Sequence, residues 1–150
     1  MADRITAEQR RRIMQHVRSK NTTPEVFLRK KLYSLGLRYR IHADNIVGHP
    51  DIWMRKYNTA VFVNGCFWHR HEDCKYASFP KTNQLFWQKK FLANVSRDQQ
   101  IKDTLIRENI RCLIIWECTI KKMQKDPVVN EQTLHGILCF LNSEETYLEI

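Results

Sequence analysis

The sequence predicts one mixed α/β domain, a central sheet flanked by helices, and three observations carry that expectation. Helical and extended patterns alternate along the chain, as they do when helices cover a sheet. The stretch "RCLIIWE" is apolar on both faces, which suits a strand covered on both sides. A chain of 150 residues with 43% hydrophobic content can bury one core, and four glycines and four prolines leave no obvious linker.

The elements follow in order. Residues 6–19 read as a basic amphipathic helix. "TTPEVFLRKKLYSLG" reads as a second, with Thr23 as N-cap, Pro24 at the first helical position and Gly36 past the end. "RYRIHA" is a short strand, "GHPDIWMR" a turn and then a strand beginning near Asp51, and "TAVFVNG" a largely buried strand. A Cys/His loop precedes a long helix over about 82–109. "RCLIIWE" is the next strand, and "NEQTLHGILCFLN" closes the chain as a helix.

Composition narrows the function classes. No apolar run reaches membrane-spanning length, and "MADRITAEQRRRIMQ" lacks the apolar segment of a secretion signal. An arginine-rich start can mimic a transit peptide, but Asp3 and Glu8 speak against that. Five cysteines, an odd number without a signal peptide, read as reduced thiols or metal ligands in a cytoplasmic protein. The net charge is +9, and residues 1–42 carry nearly all of it: Arg4, Arg10, Arg11, Arg12, Arg18, Lys20, Arg29, Lys30, Lys31, Arg38 and Arg40 face only Asp3, Glu8 and Glu25. Clustered cations suit a polyanion, whose counterions they displace; a solvated helix face is the alternative.

Four constellations carry chemistry. In "NGCFWHRHEDC", Cys66, His71 and Cys74 have zinc-type loop spacing, and Cys118 follows the "LIIWE" strand. Three thiolates and one imidazole complete a closed tetrahedral shell, structural rather than catalytic. Otherwise Cys118 is a buried thiol. Cys112 and Cys139 sit in apolar runs and read as core. His69 is then left over on a rigid loop, a candidate base. Asp51 directly follows Pro50, where its carboxylate is exposed at a sheet end or caps a turn. Glu25 shares a helix face with Leu28, Leu32 and Leu35, either as a functional acid or as a first-turn acid on the helix dipole. Trp87, Phe91, Asn94 and Asp98 fall on one narrow face with Lys90 beside it. That mixture suits stacking and hydrogen bonding to nucleic acid bases, or else the edge of a core.

"GHPDI", "FVNGCFWHRHEDC", "FW-x6-NVSRD" and "LIIWEC" resemble, in order and spacing, the very-short-patch-repair (Vsr) DNA mismatch endonucleases over about residues 8–120. The resemblance implies a restriction-endonuclease-like core in a single domain, 1–150, with residues 1–20 as a basic DNA-contacting helix. It implies nicking of one strand of double-stranded DNA, 5′ of the thymine in a T:G mismatch, which initiates very short patch repair of deaminated 5-methylcytosine. It assigns Cys66, His71, Cys74 and Cys118 to a structural Zn²⁺, and Asp51 with the Val63 backbone carbonyl to a catalytic Mg²⁺. His69 becomes the catalytic histidine, with Glu25 and Asp98 as active-site acids. Phe67, Trp68 and Trp87 form an aromatic wedge into the base stack; Met14, Arg10, Arg11, Arg12, Lys90 and Asn94 complete the DNA-contacting set. It further implies a monomer without membrane contact, acting on bacterial cytoplasmic DNA at the nucleoid. A functional link to a DNA cytosine methyltransferase and downstream repair proteins is part of that picture.

The chain departs from the pattern in places. Val63 stands where threonine is common, Asn64 replaces a histidine of some members, and the His71–Cys74 spacing is one residue wider than the narrowest form. The Glu-x-Lys of many restriction enzymes is missing from "VFVNG", which leaves the lysine's work to His69. The metal loop would stiffen Phe67 and Trp68, since unstacking a base step costs on the order of a few kcal/mol and needs a preorganised wedge. Two alternatives share the residues: a restriction or homing-type nuclease on the same core, and a non-catalytic zinc-stabilised DNA-binding module.

Overall fold

A computed structural model describes residues 5–17 and 20–150. Its elements are α1 (Ala7–Gln15), α2 (Thr23–Ser34), β1 (Arg40–Ile41), β2 (Ile52–Met54), β3 (Thr59–Asn64), α3 (Gln84–Arg107), β4 (Arg111–Trp116), α4 (Glu117–Lys125), α5 (Pro127–Leu141) and β5 (Tyr147–Glu149). The strands lie in the order β1-β2-β3-β4-β5. The first three are antiparallel, while β3–β4 and β4–β5 are parallel, so the sheet is mixed as expected.

Strand alternation sorts the core onto two faces. Val61, Leu113 and Ile115 point to one face, where Leu28 and Leu32 of α2, Ile120 and Met123 of α4, and Ile137 and Phe140 of α5 cover them. Ala60, Cys112, Phe62 and Ile114 point to the other, where Ile101 and Leu105 of α3 pack. Cys112 is 1% exposed, and burial pushes its thiol up to about 12. Cys139 breaks the expectation: it is exposed on the outer side of α5, because an apolar run on a helix still turns some positions to water.

Helix boundaries differ by a few residues. Thr6 caps α1 in a reciprocal box with Gln9, and α1 buries none of its residues. The expected helix over 6–19 ends at Gln15; Arg18 and Ser19, like Asp3 and Arg4, lie outside the described residues. Thr22, not Thr23, caps α2 by accepting the Glu25 N–H at 3.4 Å. Leu35 is the C-cap and 40% exposed, so it leaves the stripe of Leu28 and Leu32, and Gly36 supplies the left-handed turn at φ +82. The long helix is α3, Gln84–Arg107.

Past β4 the sequence reading misses two elements. The lysines of α4 mask its buried Cys118, Ile120 and Met123, and α5 begins at Pro127 behind an Asp126 N-cap, earlier than "NEQTL" suggests. The chain closes with β5, a strand too short to announce itself. Arg111 fixes the stretch that leads into it, donating to the Phe140 and Leu141 carbonyls at the end of α5 and to the Glu145 carbonyl of the turn.

This topology gathers chemistry at one end of the sheet. Loop 65–83 leaves the carboxyl end of β3, and Cys118 follows the carboxyl end of β4. Because β2 is antiparallel to β3, Asp51 at its start arrives at that same end. The crevice at the carboxyl ends of parallel strands is where α/β sheets place ligands.

Candidate active site and metal centre

A cleft of about 750 Å³ opens there, lined among others by Glu25, Asp51, Val63, Asn64, His69 and Lys90. The Asp51 Oδ2 accepts the Val63 N–H at 2.7 Å. The β2–β3 ladder ends at Ile52↔Val61, so Val63 has no strand partner on that edge and its amide is free for the carboxylate. Burial, followed by the nearby Glu25 charge, raises Asp51 to about 6 against the lowering effect of the Val63 hydrogen bond.

Glu25 is 3% exposed, and its Oε2 is held by the Asn21 N–H at 3.0 Å and by Arg29 Nη2 at 2.9 Å. Arg29 also donates to Asn21 Oδ1 at 2.8 Å, which in turn meets His42 Nε2 at 3.2 Å. The Arg29–Glu25 pair is an i,i+4 spacing, a signal present in the sequence itself. His69 Nδ1 lies 2.6 Å from Asp98 Oδ2, which fixes the ring and leaves Nε2 as its other functional nitrogen. Asn94, expected among the DNA contacts, donates from Nδ2 to the Trp68 carbonyl at 3.0 Å. Glu117 also lines the cleft, paired with Lys121 at 3.2 Å; its place directly after β4 is the signal in the sequence for it.

Beside the cleft, the donor atoms of Cys66, His71, Cys74 and Cys118 all lie within 4.8 Å of one another and could hold a metal ion. His71 Nδ1 is 3.6 Å from the Cys66 sulfur and 3.4 Å from that of Cys118. Burial pushes the metal-free Cys66 thiol up to about 12. Trp116 stacks on the His71 ring at 4.1 Å, and its Nε1 donates to Glu149 at 2.7 Å, so the unforeseen β5 backs a donor residue.

Phe67, Trp68, Trp87 and Phe91 form one aromatic cluster, with ring centroids 5.1–5.9 Å apart across the contacts of Phe67 and Trp68. Phe91 is buried and belongs to the inner layer, whereas Phe67, Trp68 and Trp87 are partly exposed. Among the described N-terminal residues 5–17, Val17 alone lines the cleft. Arg10 donates to Thr82 at 3.0 Å, Arg12 pairs with Glu8 at 3.0 Å, and Met14 is 37% exposed.

A mixed sheet flanked by helices, with acids and a histidine collected at the end of its central strands, suits a restriction-endonuclease-like core, and the family match makes the chain a DNA endonuclease of that fold. The chain belongs to the family of the DNA mismatch endonuclease Vsr, whose model matches residues 2–76, half of the chain. It is 41% identical over 123 residues to the type II nicking enzyme V.XorIIP of Xanthomonas oryzae pv. oryzae, covering 82% of this chain and 90% of that one. It is 40% identical to the type II nicking enzyme V.NmeAIP of Neisseria meningitidis, over 81% of this chain and 86% of that one. The DNA mismatch endonuclease Vsr of Escherichia coli K12 shares 33% identity over 83% of this chain and 80% of its own. DNA is the substrate class. Among the described residues, no helix is long and apolar enough to cross a membrane.

Proposed function

We propose that this DNA mismatch endonuclease nicks one strand 5′ of the thymine in a T:G mismatch, with Mg²⁺ in the cleft and Zn²⁺ in the Cys/His cluster. One observation carries the reading: the Asp51–Glu25–His69 cleft opens directly beside the partly exposed Phe67, Trp68 and Trp87 rings. Hydrolytic groups and a stacking surface thus face the same stretch of duplex.

The donor chemistry fits both metals. Asp51 offers a hard carboxylate oxygen, and in an extended strand the carbonyl of Val63 faces the same edge as its amide, beside Asp51. A tetrahedral zinc with bonds of about 2.0–2.3 Å separates its donors by roughly 3.5–3.8 Å, which the Cys–His separations of 3.4 and 3.6 Å match. Asp51 and the Val63 carbonyl would hold a divalent cation, which would supply charge neutralisation and Lewis-acid polarisation at the scissile phosphate. His69 takes the proton from the attacking water at Nε2 while Asp98 holds Nδ1. Glu25, pinned through one oxygen, orients water at the cleft wall. The 3′-hydroxyl and 5′-phosphate ends follow the family pattern.

The whole chain acts as one endonuclease domain and as a monomer, in the bacterial cytoplasm at the nucleoid. A cytosine methyltransferase supplies the methylated base whose deamination creates the mismatch, and repair proteins act on the nick. Incubation with Mg²⁺ and paired duplexes that differ only in T:G against T:A tests the reading. Nicking of the T:G strand alone is expected; equal cutting of both favours a restriction-type target, and no cutting of either favours a binding module.

The N-terminal segment contributes phosphate contacts rather than chemistry, since Arg10, Arg11 and Arg12 lie off the cleft lining. Neutralising all three is expected to lower duplex affinity and flatten its salt dependence by about one unit of log–log slope per lost phosphate contact. Cleavage of saturated complex is retained. Salt titrations of binding check this, and an unchanged slope returns the cluster to a solvated face.

A further inference from the structure

Resting on the wedge reading above, we propose that Arg70 is a positioning residue that sets mismatch discrimination by tying the backbone behind Phe67 and Trp68 to the Phe91 ring of α3. Its guanidinium donates from Nη1 to the Phe67 carbonyl at 3.3 Å and the Ser78 carbonyl at 3.1 Å, and from Nη2 to the Ala77 carbonyl at 2.7 Å. The same group lies 4.1 Å over the Phe91 ring, with the Phe67 and Phe79 rings each at 5.8 Å. Among the described residues no carboxylate pairs with it. An arginine that directs its donors to backbone carbonyls of its own loop and its flat face to an aromatic ring is built to brace, not to bind solvent or an acid.

The loop has need of a brace. Arg70 and Asp73 both occupy the left-handed region, at φ +53 and +54, which costs non-glycine residues free energy that surrounding contacts must offset. The bonds of Arg70 close the loop between residues 67 and 78. Asn94 of α3 holds the next carbonyl, that of Trp68. The wedge backbone is therefore fixed at two successive carbonyls, one by each side chain. A wedge held this way enters an opened step without a further ordering cost, whereas a loose one must be ordered during entry. A lysine cannot replace the guanidinium, because a point charge neither spans three carbonyls nor stacks flat.

The test compares wild type, Arg70→Lys, Trp68→Ala and the double variant for kcat/KM on a T:G duplex, affinity for its T:A counterpart, and bound metal. Arg70→Lys is expected to keep its metal and bind matched duplex within about twofold, while losing about tenfold in kcat/KM on T:G, the scale of one cation–π contact with charged hydrogen bonds. The double variant should be no worse than Trp68→Ala, since Arg70 acts only through the wedge. Wild-type behaviour of Arg70→Lys, or losses that multiply in the double variant, would overturn the assignment. A Trp68→Ala variant without loss sinks the wedge reading itself, whereas loss there with none at Arg70→Lys sinks the role of Arg70 alone. If Arg70→Lys sheds its metal, Phe91→Leu removes the ring under the guanidinium, together with its edge contacts to Phe67 and Phe79, and leaves the carbonyl bonds of Arg70 in place. It should show the same loss, and an unchanged ratio would again overturn the proposal.

Discussion

Asp51→Asn is expected to abolish nicking while leaving duplex binding intact or tighter. On the proposed mechanism the carboxylate would face the phosphates of a bound duplex and repel them unless a cation intervenes, so the amide would remove a repulsion together with a metal ligand. The pH dependence follows from the same residue. With Asp51 raised to about 6, protons compete with the cation below that value, and the Mg²⁺ concentration required rises about tenfold per pH unit there. Stability runs in the opposite sense. The folded carboxyl holds its proton more tightly than the unfolded one, so metal-free protein loses stability as pH rises from about 4 to about 6, with no further loss above. Asp51→Asn escapes that loss and should be more stable at neutral pH by up to about 3 kcal/mol in the absence of metal. Single-turnover nicking and thermal unfolding in chelator, each across pH, measure both effects. Nicking by the variant at the wild-type rate removes Asp51 from the chemistry.

The second large effect belongs to the Cys/His cluster. Cys118→Ser opens the shell that closes loop 65–83 against the end of β4, and should release most of about one zinc per chain. A loss of roughly 3–5 kcal/mol would lower the melting temperature by on the order of 10 °C in a chain of this size. Cys139→Ser is the control: its thiol is exposed on α5, away from the cluster, and the substitution should change neither quantity. Full stability of metal-stripped wild type would contradict the assignment.

The parts of the molecule that were legible are those whose signal is local. "TAVFVN" and "RCLIIW" became the two central strands because a strand covered on both faces must be apolar on both. Loop spacing likewise grouped Cys66, His71 and Cys74, and the structure brings Cys118 to them from 44 residues further along the chain. Elements set by long-range contacts were not legible. β5 is set by its parallel ladder with β4, and Arg111 ties down the turn that leads into it, neither of which its three residues announce. Side-chain partners were hidden for the same reason. A helical wheel places Asn94 beside Trp87 and Phe91, but it cannot show the Trp68 carbonyl that Asn94 meets across the fold. Cys139 shows the converse error, an apolar neighbourhood in sequence that is a solvent-facing position on a helix.

On the proposed mechanism His69, held by Asp98, removes the proton from the attacking water in the cleft that Asp51 completes. The most direct test of that step is the pH–rate profile of His69→Ala on a T:G duplex under single turnover with saturating Mg²⁺. The variant should be slowed by roughly 10²–10⁴-fold near neutral pH, with a residual rate that climbs as hydroxide replaces the missing base. Asp51→Asn should gain nothing from the same rise in pH. A His69→Ala enzyme that cuts at the wild-type rate, with the wild-type profile, would place the base elsewhere and contradict the account.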